Sequence, residues 1–454
     1  MKPRFFENFH FRNIKFHLSL EIDDRIFNYE EKTGVFMSKK SVYFGNFIRK
    51  YKENPIRFRK WLALGMGFEN KIRKRKANKG SFIDIINYLT EDQIYSALKG
   101  KNSAWVNLMA PSELLTSLDY YPVSAEGIGA MMCSMHLEDY SLSLASQAGI
   151  PDSLCSFHRS SIGVSRWKIF PKPEIVLTTS ILCDGNITAF KKISSEYKVP
   201  FYLIDIPRGR KREYVPYVIK QLRELIKILE EITGKKFPYE KLQETLKRER
   251  ETIENIKKSL KILSAKTMNI KLYEHLNMLY VFHTMPGNPL LLEGTERLLK
   301  ELSSKEIFPS KRLLWMHIPP YYDNQLFEVF SPDSKFQIIT DELSFDWLYD
   351  LNPEKPLETL AEKMVFNPEA GSVKERADYC LNLSKELNIE GIIHFSHWGC
   401  RQSSGASGYL ADYFAREKIP FIELNGDCVD HNSESAGQLK TRIGAFLEIM
   451  EEIK

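Results

Sequence analysis

The chain has 454 residues, 43% of them hydrophobic and 27% charged, with six scattered cysteines and a net charge of +5. This is ordinary globular composition, long enough to bury a sizeable core, and it excludes a disordered protein and a disulfide-built miniprotein. No stretch reaches the roughly 18 apolar residues of a membrane span and the first residues hold no apolar run of a signal peptide, so a reducing cytoplasm is the expected location and the cysteines are free thiols or ligands.

The charge is uneven. Residues 1–80 hold 20 Lys and Arg against 8 Asp and Glu, a net of +12, which leaves −7 for residues 81–454. The basic residues are densest at Lys71-Ile-Arg-Lys-Arg-Lys. Such a run reads first as a solvated face or a linker, and second as a contact for an acidic partner or for phosphates of a coenzyme. Nucleic acid finds no support, because no zinc finger, recognition helix or aromatic-interleaved RNA motif is present. Phenylalanines at positions 5, 6, 9, 11 and 16 suggest that part of this arm packs on the body.

From Ser81 to about Ala148 the pattern reads helical, ending at Gly149-Ile-Pro-Asp. A βαβ unit follows. Glu174–Ser180 is a strand, about 187–197 a helix, and Pro200–Asp205 a second strand, which must run parallel to the first. Residues 213–261 read as two Lys/Glu-rich surface helices broken near Thr233-Gly-Lys-Lys-Phe-Pro. A second α/β block has strands at Arg312–His317, Phe336–Thr340, Gly391–Ser396 and Pro420–Leu424. Its helices fall near 324–331, 372–388, 404–418 and 435–453. The expected fold is α/β, with two parallel-sheet (Rossmann/flavodoxin-like) domains, a helical linker region and a basic N-terminal extension. The divisions fall at 1–85, 86–265 and 266–454.

In open parallel sheets, ligands bind at the carboxyl ends of strands. Cys183 follows the strand Glu174–Ser180, and Cys400 follows Gly391–Ser396 in His397-Trp-Gly-Cys. Cys155 lies in a loop ahead of the first strand. Three thiolates converging from separate loops would suit a soft-metal site, iron–sulfur or zinc. Spacing does not require it. There is no CxxC, and each cysteine can equally be a small buried hydrophobe. Cys133 and Cys380 sit in helical patterns and read as core, whereas Cys428 ends a strand and is an outside candidate. His158, His317, His394 and His397 read as core or supporting residues. Walker, Rossmann-glycine and HExxH motifs are missing, and no acid/base residue is singled out.

Taken together, the motifs resemble the D-component family of the 2-hydroxyacyl-CoA dehydratases, which includes benzoyl-CoA reductase subunits and double-cubane cluster proteins. The resemblance spans roughly residues 100–454. It rests on Pro111-Ser-Glu-Leu-Leu, Tyr121-Pro-Val, Gly149-Ile-Pro-Asp-Ser-Leu-Cys-Ser-Phe, Leu182-Cys-Asp-Gly, Gly399-Cys-Arg and Glu423-Leu-Asn-Gly-Asp-Cys-Val-Asp, in that order. It implies a 4Fe–4S cluster held between two domains by Cys155, Cys183 and Cys400, with a double-cubane 8Fe–9S cluster as the alternative. It also implies ketyl-radical elimination of water from an acyl-CoA thioester, after one-electron reduction by a separate ATP-dependent iron–sulfur activator. The partner would be a related second subunit or a second copy of the chain. Other readings are a reductase of the same superfamily, and a cluster-bearing scaffold or electron-transfer protein. Gln402, and His431 with Asn432, depart from the family pattern and leave the substrate open.

Overall fold

The computed structural model describes residues 36–452, apart from 101, 269, 305–308, 321–323, 333 and 434–435. The phenylalanines between positions 5 and 16 lie outside the described residues. Eight strands are described: β1 (Ser103–Val106), β2 (Tyr121–Ser124), β3 (Ile175–Thr179), β4 (Phe201–Ile204), β5 (Lys311–Met316), β6 (Phe336–Asp341), β7 (Gly391–His397) and β8 (Phe421–Gly426). They form two all-parallel sheets, ordered β2-β1-β3-β4 and β6-β5-β7-β8. Each sheet therefore places its third strand beside its first. The connections reverse direction at that seam, and a crevice opens there at the carboxyl ends.

Strands β1, β3, β6 and β7 are buried along their whole length. Helices cover both faces, so these strands carry continuous apolar runs, Ile-Val-Leu in β3 and Gly-Ile-Ile in β7, rather than alternation. The βαβ unit predicted around 174–205 is present, with Leu177 of β3 opposite Tyr202 of β4. The two charged helices are also present, as Val215–Thr233 and Tyr239–Leu263. Gly234 ends the first with φ 67°, a left-handed cap suited to glycine, and its N–H bonds the Glu230 carbonyl. These helices are not merely a solvated face. Leu222, Leu225 and Leu229 are fully buried in the core shared with helices Leu272–Thr284 and Pro289–Ser304.

The region expected to be helical from 81 to 148 contains β1 and β2 as well. Both are four residues long, too short to register as a change of period. The basic extension is helical over Phe36–Arg49 and Pro55–Lys79. Asn54 caps the second helix by accepting the Arg57 N–H, and Pro55 suits its first turn. The basic run falls on this helix. Its Arg73 is not solvated: it is buried and faces Glu69 at 3.0 Å and Glu91 at 3.7 Å. Phe58 and Leu62 are fully buried, and the Phe58 ring packs at 4.3 Å on Trp167 of helix Ser156–Trp167. The extension thus braces the helix that carries Cys155 at its start. Phe58→Ala should cost about 3–5 kcal/mol through the cavity it leaves. The check is the shift in urea midpoint, and an unchanged midpoint would show that the extension does not belong to the cooperative fold.

Candidate functional site

Cys155, Cys183 and Cys400 share one local setting. Each is the residue capping the start of a helix: Ser156–Trp167, Asp184–Tyr197 and Arg401–Ser404. Two of these helices begin where β3 and β7 end, the equivalent third strands of the two sheets. A chain turning from strand to helix at the carboxyl edge leaves its cap residue facing the crevice. Backbone N–H groups of Phe157 and His158, of Gly185 and Asn186, and of Gln402 and Ser403 face the respective sulfurs and favour their thiolates. The backbone is strained at two neighbouring points. Leu182 has φ 79° and His317, just past β5, has φ 67°, a region that bulky residues seldom occupy. Arg208 holds the Leu182 carbonyl at 3.0 Å.

The crevices of the two sheets meet at Gly399. A Cβ placed there would lie 2.5 Å from the Cys155 Cα and 2.8 Å from its nitrogen. Only glycine lets the two loops approach this closely. The three sulfurs are then within electrostatic reach of one another. Burial pushes the Cys155 thiol well up, with Cys400 and Cys183 adding to the shift. Burial, then Cys400, pushes Cys183 up to about 11, and burial raises Cys400. Burial outweighs the helix starts at all three, with neighbouring sulfurs adding to it at Cys155 and Cys183, so all three are thiols at neutral pH. A cationic group binding them must displace protons.

Two imidazoles approach the sulfurs. His397 Nε2 lies 3.3 Å from Cys155 Sγ, and His158 Nε2 lies 3.6 Å from Cys183 Sγ. His397 also stacks on His317 at 6.2 Å across the seam of the second sheet. Asp427 organises the loop beyond β8 by accepting Ser156 Oγ at 2.6 Å and the Val429 and Asp430 N–H groups at 2.7 and 2.8 Å. His431 pairs with the buried Glu138 carboxylate on the other side of this junction. An open cleft of about 490 Å³ runs beside the loops, lined by Asp152, Leu154, Arg159, Trp398, Gly399 and Asp430.

Buried charges surround the crevice. Arg376 grips Glu342 with two guanidinium nitrogens, faces Glu369 at 3.7 Å and donates to the Gln402 carbonyl at 3.0 Å. One guanidinium serves two carboxyls. Burial pushes Glu369 up to about 8, whereas Glu342, also raised by burial, is carried below its ordinary value by Arg376. Lys363 lies 2.6 Å from both Glu113 and Glu249, beside a water-sized cavity of about 30 Å³ at the end of β1. His283 donates Nδ1–H to the Leu279 carbonyl at 2.8 Å while its Nε2 faces Asp346 Oδ1 at 2.9 Å. Glu126, just past β2, accepts Ser124 Oγ on Oε2 at 2.9 Å, and its Oε1 is buried with no hydrogen-bond partner. Burial pushes it up to about 7, and it lies within electrostatic reach of Cys183. A carboxyl that titrates near neutrality beside a thiol cage is suited to moving a proton.

The remaining cysteines, including the outside candidate Cys428, lie in the core. Cys133 and Cys380 are buried in helices, and Cys428 is buried with its thiol directed at the Ile318 carbonyl. Among the described residues, no three His, Cys, Asp or Glu side chains are grouped as ligands of a single metal ion. A cubane presents a different iron to each ligand, so its thiolates surround a cage instead of meeting at a point. Three partly accessible thiols on helix starts, brought together by Gly399, are a donor set that fits such a cage.

Residues 107–450 match the family described as 2-hydroxyglutaryl-CoA dehydratase, D-component. The chain is 24% identical over 414 residues to the (R)-phenyllactyl-CoA dehydratase alpha subunit of Clostridium sporogenes, covering 85% of this chain and 98% of that one. It is 25% identical over 401 residues to the (R)-2-hydroxyisocaproyl-CoA dehydratase alpha subunit of Clostridioides difficile, covering 82% and 96%. A benzoyl-CoA reductase subunit of Thauera aromatica is 21% identical over 343 residues, covering 68% and 79%.

Two outcomes follow from the geometry. Gly399→Ala should destabilise the protein by about 1–3 kcal/mol, because the nearest atoms are backbone and cannot rotate away. Equal melting temperatures for variant and parent would contradict the close approach. Glu126 ionises at about 7 in the fold against an ordinary 4.5, so its burial costs more stability as pH rises through that interval. Glu126→Gln should therefore gain up to about 3 kcal/mol on the parent over that interval. Urea midpoints across pH measure this, and parallel curves would contradict it.

Proposed function

The chain belongs to the 2-hydroxyglutaryl-CoA dehydratase D-component family, and we propose that it is the iron–sulfur subunit of an enzyme that removes water from a 2-hydroxyacyl-CoA thioester. It is a dehydratase-type enzyme component. The observation that carries the finer reading is the meeting of Cys155, Cys183 and Cys400 at the Gly399 junction. A 4Fe–4S cluster bound there would supply a Lewis-acidic iron and one-electron chemistry.

The chain's own residues set the conditions. Strand ends fix the Cys183 and Cys400 cap positions, the loop after helix Glu138–Gln147 carries Cys155, and the buried Arg376–Glu342 pair anchors the Cys400 loop through the Gln402 carbonyl. Glu126 has the ionisation to take up or release a proton near neutral pH. The cleft past Trp398 gives a thioester or a protein partner an approach to the cage. In this reading the electron comes from a separate ATP-hydrolysing activator, and a related second subunit completes the enzyme, since the relatives include alpha subunits of dehydratases. Among the described residues no helix is long and apolar enough to cross a membrane, and the reading places the enzyme in the cytoplasm. The likeness to a benzoyl-CoA reductase subunit supports a reductase of the same superfamily as the second reading.

The test is iron content after anaerobic purification. Cys155→Ser, Cys183→Ser and Cys400→Ser should each lose most of the parent's iron, because two thiolates are too few to hold the cage. Cys380→Ser should retain it. Retention by the Cys183 variant together with loss by the Cys380 variant would contradict the assignment.

A further inference from the structure

The two histidines beside the sulfurs follow a pattern that the ligand assignment does not need. His158 lies on the helix capped by Cys155 and reaches Cys183, whereas His397 ends the strand leading to Cys400 and reaches Cys155. Each imidazole therefore approaches the sulfur of a different loop from its own.

At His397 the geometry also fixes the tautomer. The backbone N–H of Cys428 donates to His397 Nδ1 at 3.2 Å. A nitrogen that accepts an N–H carries no proton, so the ring is neutral and its hydrogen sits on Nε2, the atom facing Cys155 Sγ. Asp427 Oδ2 lies 3.9 Å from Nδ1, outside hydrogen-bond reach, and the Gly426 carbonyl accepts the Trp398 N–H at 3.0 Å. The ring is fully buried, sits edge-on to Phe157 at 6.0 Å and stacks on His317, so it has little freedom to turn away.

We propose that His397 is a positioning residue that donates Nε2–H to the Cys155 thiolate, in a tautomer held by the Cys428 backbone, and so raises the reduction potential of the iron–sulfur group held by these cysteines. The inference rests on the cluster reading above. An N–H donated to a ligating sulfur withdraws electron density and stabilises the reduced state, and hydrogen bonds to sulfur are among the terms that set cluster potentials. Cys428 matters here through its backbone and not through its thiol, which is directed at the Ile318 carbonyl.

The experiment compares the full-length parent with His397→Leu and His397→Gln, purified and reconstituted under argon. Iron and sulfide are measured first, and then the midpoint potential by a mediated titration followed by EPR. His397→Leu should keep its iron but shift to a more negative potential, and His397→Gln, which restores an N–H donor, should return toward the parent. Iron-loaded His397→Leu with the parent's potential would overturn this inference and leave the cluster reading intact. An iron-free parent would overturn both. If His397→Leu does not fold, the parent still decides through its tautomer, with the His397 signal of histidine-labelled protein assigned by its loss in His397→Gln. A 15N spectrum placing the proton on Nε2 supports the proposal, and one placing it on Nδ1 overturns it.

Discussion

The site depends on one steric fact: residue 399 has no side chain. With any Cβ at that position, the loop after β7 would strike the Cys155 backbone at 2.5 Å, and the crevices of the two sheets could not meet. Everything else at the junction presupposes this contact. Ser156 reaches Asp427, His397 reaches Cys155 and His431 reaches Glu138, each linking the first sheet's helices to the loops of the second. Two sheets of the same strand order thus present their equivalent edges to one another, and the three cysteines come together where neither sheet alone supplies them all.

Electrostatics sharpens this picture. Burial makes all three thiols costly to ionise, and the neighbouring sulfurs add to this at Cys155 and Cys183. The helix starts lower the cost without removing it. A set of protonated thiols held this close would gain from a cationic group that replaced the protons, as at a metal site. Around it, Arg376 and Lys363 each offset buried carboxylates, and Glu126, Glu138 and Glu369 are pushed up to about 7, 7 and 8 by burial. The junction is rich in protons that can move near neutral pH.

Much of the fold was legible in the sequence, for a physical reason. Strands of a doubly covered parallel sheet are continuous apolar runs, so β3 to β8 stood out in Val/Ile/Leu clusters ahead of glycines and helices. The short strands β1 and β2 lay hidden in helical surroundings, and the basic helix Pro55–Lys79 was masked by its charge because its buried stripe is broken by Asn70 and Arg73. Cys183 and Cys400 could be placed at strand ends and Cys155 in a loop from the sequence, but their convergence could not. It arises from a contact between loops far apart in the chain, and only the family resemblance pointed to it. His397 and His158 were visible as neighbours of cysteines, although each approaches the sulfur of a different loop from its own. Glu126 gave no signal, because its environment is built by His283 and Cys183 from distant elements.

The central claim is that this junction is an iron–sulfur cage. Iron and acid-labile sulfide per chain, measured on the parent protein purified and reconstituted under argon together with its oligomeric mass, test it most directly. A brown protein with about four irons and as many sulfides per chain is the expected result. A colourless protein that folds normally and takes up neither would contradict it.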